Sequence, residues 1–243
     1  MIGNNHTPSG LPQLGSPRPP RQENSKEEKQ TAGAGSATPP TAPALGPSPL
    51  YLIMNKPKGY VCSAVSDSHK TVYQLLPAQM QILVKGAKRG HRLHTVGRLD
   101  ADTTGLLLFT TDGKFSHYLT SPDSNIEKTY EVTLKYKVSQ DQQQLYINKA
   151  ASGLILPAEK KSPAEKCSPE NIVFIEENRC FITISEGKFH QVRRTFLALN
   201  NEVTELKRIS IGTLKLPEDL EEGDFREMID LWHQDWKGGG AGA

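Results

Sequence analysis

Apolar and polar residues follow regular patterns along the chain, and these patterns begin after residue 48. Short runs rich in β-branched and aromatic residues, separated by polar turn formers, predict strands. The predicted strands span 51–55, 60–63, 93–96, 106–110, 128–134, 172–175, 181–184, 203–211 and 225–228. The predicted strands 172–175 and 181–184 are separated by the polar residues Glu-Glu-Asn, which predicts a hairpin.

The best helix is predicted at 187–200, where apolar residues recur every three or four positions. Its apolar stripe is formed by Phe189, Val192, Phe196 and Leu199. At about 100° per residue, Arg193 lies roughly 40° from the edge of this stripe, whereas His190 and Arg194 point away from it. The helix is therefore expected to bury its apolar stripe, with one arginine beside it.

Shorter helices are predicted at 115–121 and, with Ser139 as its N-cap, at 139–149. A single helical turn is predicted at 71–76 and a polar loop at 157–169. Strands outnumber helices, and several are joined as hairpins. This order predicts an α+β fold on a largely antiparallel sheet rather than a doubly wound fold.

The composition changes sharply near residue 48. Ten of the 17 prolines precede Leu50, in a stretch rich in Gly, Ser, Thr and Ala that has no apolar period. The 243 residues are 36% hydrophobic and 23% charged, which suits one sizeable domain. We predict a disordered tail at 1–48, a folded domain at 49–236 and a flexible tail at 237–243.

Three cysteines, Cys62, Cys167 and Cys180, are widely spaced, with no CxxC pair and no histidine at zinc-ligand spacing. This usage fits a reducing compartment. The first residues lack the apolar region of a signal peptide, and no run approaches the length of a membrane span. We expect a cytoplasmic protein that does not enter a membrane, and we predict a monomer.

A formal net charge of +2 does not by itself indicate nucleic acid, but the charges are unevenly distributed. Five cations occur without an acid from Lys85 to Arg98, and three more follow at 188–194. The segment 218–235 is strongly acidic. This polarity is what an RNA-binding face requires.

One candidate for chemistry is the loop Gly-Arg-Leu-Asp-Ala-Asp-Thr-Thr-Gly at 97–105, between two predicted strands. Its glycines allow close backbone approach, and a strand end gives carboxylates a rigid support. By itself the pattern is more often that of a structural turn than that of a catalytic loop. The pair Asp100 and Asp102 also matches a DxD metal site, although no further acidic cluster lies nearby.

Two further segments supply partners for such a carboxylate. Arg193, beside an apolar stripe, needs either water or a counterion, because an unpaired buried guanidinium costs several kcal/mol. Asp100 is our candidate partner. On the strand at 128–134, Lys128, Tyr130 and Val132 share one face. A strand tyrosine is commonly plain packing, but a ring with nearby cations is what a flipped-out base requires.

Together these segments resemble the three sequence motifs of pseudouridine synthases, in particular the RsuA branch that modifies ribosomal RNA. Single motifs are weak, whereas several in order with compatible spacing are specific. They occur in order between about Leu50 and Met228. The matching segments are 55–57, 59–63, 97–106, 111–113, 121–122, 127–134 and 184–194.

The resemblance implies a pseudouridine synthase fold, with a central, largely antiparallel mixed sheet, flanking helices and a catalytic cleft within 49–236. It implies that the N-glycosidic bond of a uridine breaks, the base turns, and a C-glycosidic bond forms, with no metal and no cofactor. Asp100 aligns with the catalytic aspartate. Tyr130 aligns with the aromatic residue that stacks on the base, and Arg193 with the basic residue that pairs with the aspartate.

The expected substrate is ribosomal RNA, favouring the small subunit, or its precursor particle. RsuA-type enzymes usually begin with a small S4-like RNA-binding domain, and here a Pro/Gly/Ser-rich segment holds that place. We hypothesise that the extra stretch at 86–91 replaces part of that contact. Phosphate contacts are expected from Arg98, Lys128, Lys188, Lys56, Lys88, Arg89 and Arg92. An RNA-binding module without activity and a DxD metal-dependent transferase are the two alternatives.

Overall fold

A computed structural model describes residues 48–86, 91–160 and 162–228. Most of its strands lie in one mixed sheet. In chain order the strands are β1 Tyr51–Lys56, β2 Tyr60–Val61, β3 Lys70–Thr71, β4 His94–Thr95, β5 Thr104–Thr110, β6 Lys128–Leu134, β7 Ile155–Leu156, β8 Glu165–Lys166, β9 Asn171–Glu176, β10 Arg179–Ile184, β11 Val203–Ile211, β12 Leu214–Lys215 and β13 Phe225–Glu227. The helices are α1 Ala78–Lys85, α2 Gly113–Thr120, α3 Gln140–Ala151 and α4 Gln191–Ala198, with 3₁₀ turns at Val72–Leu75 and Pro122–Ser124.

The main sheet has the order β13-β1-β5-β11-β6-β10-β9, with β4 on β5 and β12 on β11. In the described part of this sheet every pair is antiparallel except β5 and β11, which are parallel. Gly105 faces Arg208 at this parallel contact, with φ +95°, and any β-carbon there would overlap the Arg208 carbonyl oxygen. The predicted α+β fold with a largely antiparallel mixed sheet is confirmed.

Both faces of the sheet are covered, which makes its central strands apolar throughout. In β5, Leu107 and Phe109 join one buried cluster, and Leu106 and Leu108 join the other. Helix α4 packs its apolar residues into the first cluster and α2 packs into the second. The polar loop at 97–103 precedes β5, so it rises from the most rigid part of the molecule.

Local signals placed most elements correctly. Strands β6 and β11 have the predicted bounds, and β9 and β10 form the predicted antiparallel hairpin. Asp112 caps α2 by accepting from the backbone N–H of Lys114 and Phe115, and Ser139 is the N-cap of α3. Helix α1 and the short strands β3, β7, β8 and β12 were not predicted.

The start of α4 was predicted wrongly. The helix begins at Gln191 rather than 187, because His190 has a left-handed backbone with φ +48°. The predicted tails at 1–48 and 237–243 lie, apart from Ser48, outside the described residues, and they stay predictions. In the described ranges, no helix is both long and apolar enough to cross a bilayer.

Candidate active site

The loop that carries Asp100 is held from below by a buried lysine. Lys56, at the end of β1, has no exposed surface. Its Nζ donates to the carbonyl oxygens of Pro57 at 3.1 Å, Ala101 at 3.3 Å and Thr103 at 2.8 Å. Burial lowers the pKa of this ammonium group. Lys56 therefore ties the loop to the sheet, and the prediction that it contacts RNA phosphate is wrong.

The following turn adds two more anchors. The backbone N–H of Gly59 donates to the Ala101 carbonyl at 2.7 Å. The Cys62 Sγ lies 3.3 Å from the Leu99 nitrogen and 3.5 Å from the Leu99 oxygen. The segments at 55–57 and 59–63, which lie far from the loop in sequence, thus fix its path on both sides of Asp100.

A cavity of about 270 Å³ opens beside this loop. It is lined by Asp100, Tyr130 and Arg193, the three residues singled out from the sequence. The Asp100 side chain is 38% exposed, so its carboxylate is accessible from the cavity. Tyr130 is only 8% exposed and has its ring within the first buried cluster. A carboxylate, a fixed ring and a guanidinium therefore face one space.

The predicted ion pair between Arg193 and Asp100 is not formed. Arg193 Nη2 lies 2.9 Å from Asp102 Oδ2, and Nη1 donates to the Val203 carbonyl at 3.0 Å. The contact with Asp102 lacks hydrogen-bond geometry, so Nη2 and Nε have no hydrogen-bond partner in the described chain. Of these two buried nitrogens, only Nε has neither a hydrogen bond nor an ion pair among the described residues, and it remains available to a bound group.

Asp100 is paired with a histidine instead. His190 Nε2 lies 3.5 Å from Asp100 Oδ1, and His190 Nδ1 lies 2.9 Å from Glu159 Oε1. The ring stacks on Phe189 with centroids 3.8 Å apart. The helical wheel placed His190 away from the site, because it assumed regular helix where the chain is left-handed. The motif at 184–194 contained this residue but gave it no role.

The apolar stripe of α4 is only partly as predicted. Val192, Phe196 and Leu199 are buried, whereas Phe189, which precedes the helix, is 40% exposed. Arg194, expected to point away, is fully buried. Its guanidinium pairs with Glu165 at 3.0 Å and donates to three carbonyl oxygens, those of Pro157, Pro163 and Phe189. The segment at 157–165 is thereby fastened to α4.

The other predicted RNA contacts fall into four groups. Arg98 and Arg92 are exposed, and Arg98 lines the cavity. Lys188 also lines it, with Nζ 3.4 Å from both Glu165 and Glu186. Lys128 is buried at 9% exposure. Lys88 and Arg89 lie outside the described residues.

The residues near the loop do not resemble a metal site. In the part of the chain that the structure describes, no three His, Cys, Asp or Glu side chains are grouped as metal ligands. Asp102, the second acid of the DxD pattern, is 54% exposed and faces Arg193. The donor set therefore pairs acids with a guanidinium and an imidazole.

Comparisons with known proteins agree with this site. A family model described as RNA pseudouridylate synthase matches residues 50–198. Ribosomal small subunit pseudouridine synthase A of Yersinia pestis is 42% identical over 180 residues, covering 74% of this chain and 69% of that protein. The protein of the same name from Vibrio vulnificus (strain CMCP6) is 42% identical over 191 residues, covering 76% and 75%.

A crystal structure of a pseudouridylate synthase is 41% identical and superposes with a TM-score of 0.64, covering 75% of this chain and 71% of that one. The family model spans more than half of the 243 residues. By these matches the chain belongs to the RNA pseudouridylate synthase family, and it is an isomerase that modifies RNA.

Proposed function

We propose that this protein converts a uridine of small-subunit ribosomal RNA, free or in a precursor particle, into pseudouridine, with Asp100 as its catalytic carboxylate. The observation that carries the proposal is the meeting of Asp100, Tyr130 and Arg193 on one cavity. The substrate is supported by relatives named ribosomal small subunit pseudouridine synthase A. Nothing in these comparisons favours an idle RNA-binding module or a metal-dependent transferase.

The reaction breaks the bond between ribose C1′ and uracil N1 and forms a bond between C1′ and C5. The hydrogen on C5 leaves as a proton, and N1 gains one, so the change is an isomerisation. An accessible carboxylate at Asp100 is suited to act on the ribose and base as nucleophile or base. His190, between Asp100 and Glu159, holds this carboxylate in place.

Tyr130 and Arg193 hold the base while it turns. A uridine must leave its stack to enter the cavity, which costs a few kcal/mol. Stacking on the fixed Tyr130 ring recovers part of this cost. The Arg193 guanidinium, whose Nε lacks a hydrogen-bond partner, supplies a donor and positive charge beside the carboxylate. A small cavity also limits water, which would otherwise hydrolyse the detached sugar.

The decisive test is Asp100→Asn, with pseudouridine mapped in ribosomal RNA in the presence and absence of each protein. We expect no product from the variant, with folding and most RNA binding retained. Asp102→Asn is the matched control, because it removes the same charge two residues away, and it should keep most activity. Product formed by Asp100→Asn at the wild-type rate would remove Asp100 from the mechanism.

The same assay separates the alternatives. An idle module would bind RNA tightly but form no product with the native chain. A metal-dependent transferase would stop when EDTA is added, whereas we expect EDTA to leave pseudouridine formation unchanged.

We further propose that the protein acts as a monomer in the cytoplasm. Cys62, Cys167 and Cys180 are all free and buried, which suits a reducing compartment. Light scattering on the purified chain tests the first point, since a dimer would double the measured mass. Fractionation of cells that express the full chain tests the second.

A further inference from the structure

A second, smaller cavity of about 140 Å³ adjoins the active-site cavity. The two share four lining residues, Gly97, Arg98, Tyr130 and Gly187. The Tyr130 side chain thus stands between the proposed uridine site and this neighbouring space. A group bound here would be next to a nucleotide whose base stacks on Tyr130.

Three cations line the small cavity: Arg98, Lys128 and Arg208. Arg208 lies on β11 and is 4% exposed. Its Nε donates to the Leu106 carbonyl at 2.8 Å, but its Nη2 has no hydrogen-bond partner among the residues described. A buried guanidinium nitrogen without a partner is uncommon, and it indicates a missing acceptor.

Among the described residues, Lys128 also has no negatively charged partner. Its Nζ donates only to carbonyl oxygens, those of Ile126 at 2.7 Å and Ser185 at 3.4 Å. Burial lowers the pKa of Lys128, and the positive charge of Arg208 lowers it further. Within the described ranges, neither side chain forms an ion pair and no carboxylate lines this cavity.

Two buried cations side by side repel each other and have lost their hydration. An anion in the cavity would offset both costs, and an oxyanion would also accept from the free Nη2. Exposed Arg98 lines both cavities, so a cation also lies where the two spaces adjoin. The chemistry therefore selects a phosphate group attached to the bound nucleotide.

We propose that this small cavity is a phosphate subsite, formed by Lys128 and Arg208, that holds a backbone phosphodiester adjoining the uridine in the active-site cavity. This inference rests on the proposed function, because it takes RNA as the substrate. It places the phosphate contact predicted from sequence for Lys128 in an internal cavity, and it adds Arg208.

Orthophosphate is the first probe, with melting temperatures measured in phosphate and in chloride of equal ionic strength. We expect phosphate to raise the melting temperature of the wild type and of Lys207→Gln, and to lose most of this effect in Lys128→Gln. Lys207 is the matched control, since it lies next to Arg208 on β11 but lines a different cavity. Each shift is a difference within one variant, so an altered baseline stability does not affect it.

RNA is the second probe, and it separates a backbone phosphate from a free anion. In the segment around the modified uridine, one flanking phosphate at a time is replaced by a neutral methylphosphonate. We expect one replacement to weaken wild-type binding roughly 10–100-fold, the loss of a charge-assisted hydrogen bond, with little further loss in Lys128→Gln. Arg208→Lys, which keeps the charge but has a single nitrogen, should show an intermediate loss.

Two results would overturn the proposal: equal phosphate effects in Lys128→Gln and Lys207→Gln, or unchanged wild-type binding of every methylphosphonate RNA. Failure of the proposed function would look different. In that case the wild type would form no pseudouridine in ribosomal RNA, while the orthophosphate measurement would still report on the cavity.

Discussion

Replacing Lys56 by methionine tests whether the buried ammonium group fixes the catalytic loop. Methionine keeps an unbranched apolar stem of similar length but cannot donate to the three carbonyl oxygens at Pro57, Ala101 and Thr103. Two of these acceptors, the carbonyl oxygens of Ala101 and Thr103, lie in the loop itself, next to Asp100 and Asp102. The substitution therefore removes the anchor without removing any group that lines the active-site cavity.

The size of the effect follows from opposing terms. Each hydrogen bond from a charged donor contributes about 1.5–3 kcal/mol. The variant recovers the desolvation penalty of the ammonium group, several kcal/mol, because that charge is no longer buried. Three acceptors without a donor outweigh this recovery, so we expect a net loss on the order of 2–4 kcal/mol in the free energy of unfolding. A domain of ordinary stability, roughly 5–15 kcal/mol, still folds.

Activity should fall more than stability suggests. A displacement of about 1 Å in a catalytic group costs on the order of 100-fold in rate, so we expect a fall in kcat approaching that factor. Urea unfolding gives the stability, and the release of tritium from C5-labelled uridine in ribosomal RNA gives the rate. Lys58→Met, at an exposed lysine two residues away, should leave stability unchanged. Wild-type stability and rate in Lys56→Met would refute this role for Lys56.

Arg193→Met should lower turnover at least tenfold more than Asp102→Asn, since both remove the ion pair but only the first removes the guanidinium from the cavity. Equal rates in the two variants would mean that Arg193 contributes only through its ion pair with Asp102. Gly105→Ala should lower the free energy of unfolding by at least about 3 kcal/mol or abolish folding, because a β-carbon there overlaps the backbone of β11. Gly113→Ala has open space around the new β-carbon and should be neutral or slightly stabilising in thermal unfolding. Burial is the main cause that raises the pKa of Glu170 above its usual 4.5. The folded chain therefore holds this proton more tightly than the unfolded chain, which stabilises the fold at low pH. The wild type loses this contribution to its stability as the pH rises through the raised pKa. The melting temperature of Glu170→Gln should therefore gain on that of the wild type as the pH is raised above 4.5, and a constant difference would contradict this.

Much of the fold could be predicted because its signals are local. Strand β6 alternates buried and half-buried residues, and this period alone gave its bounds. Motif order was enough to select Asp100, Tyr130 and Arg193, and all three line one cavity. An ordered series of motifs identifies a family even when no single motif is decisive.

The partners of the charged residues could not be predicted in the same way. Lysine and arginine are usually exposed, yet Lys56, Lys128 and Arg194 are all buried. Each donates hydrogen bonds largely to carbonyl oxygens, many of them from distant parts of the chain. Every residue has a backbone carbonyl, so the sequence does not indicate which one will accept. Arg193 faces Asp102 rather than Asp100, and Asp100 is faced by His190, whose left-handed backbone the helical pattern did not predict.

Hydrophobic period and motif spacing thus determined most of the elements and selected the candidate reacting groups, since both depend on neighbours within a few residues. Which cations are buried, which acid each one faces, and where a second cavity forms depended on packing between segments far apart in sequence. The free energy of a buried charge is set by the atoms that surround it in three dimensions, and only the assembled fold supplies them.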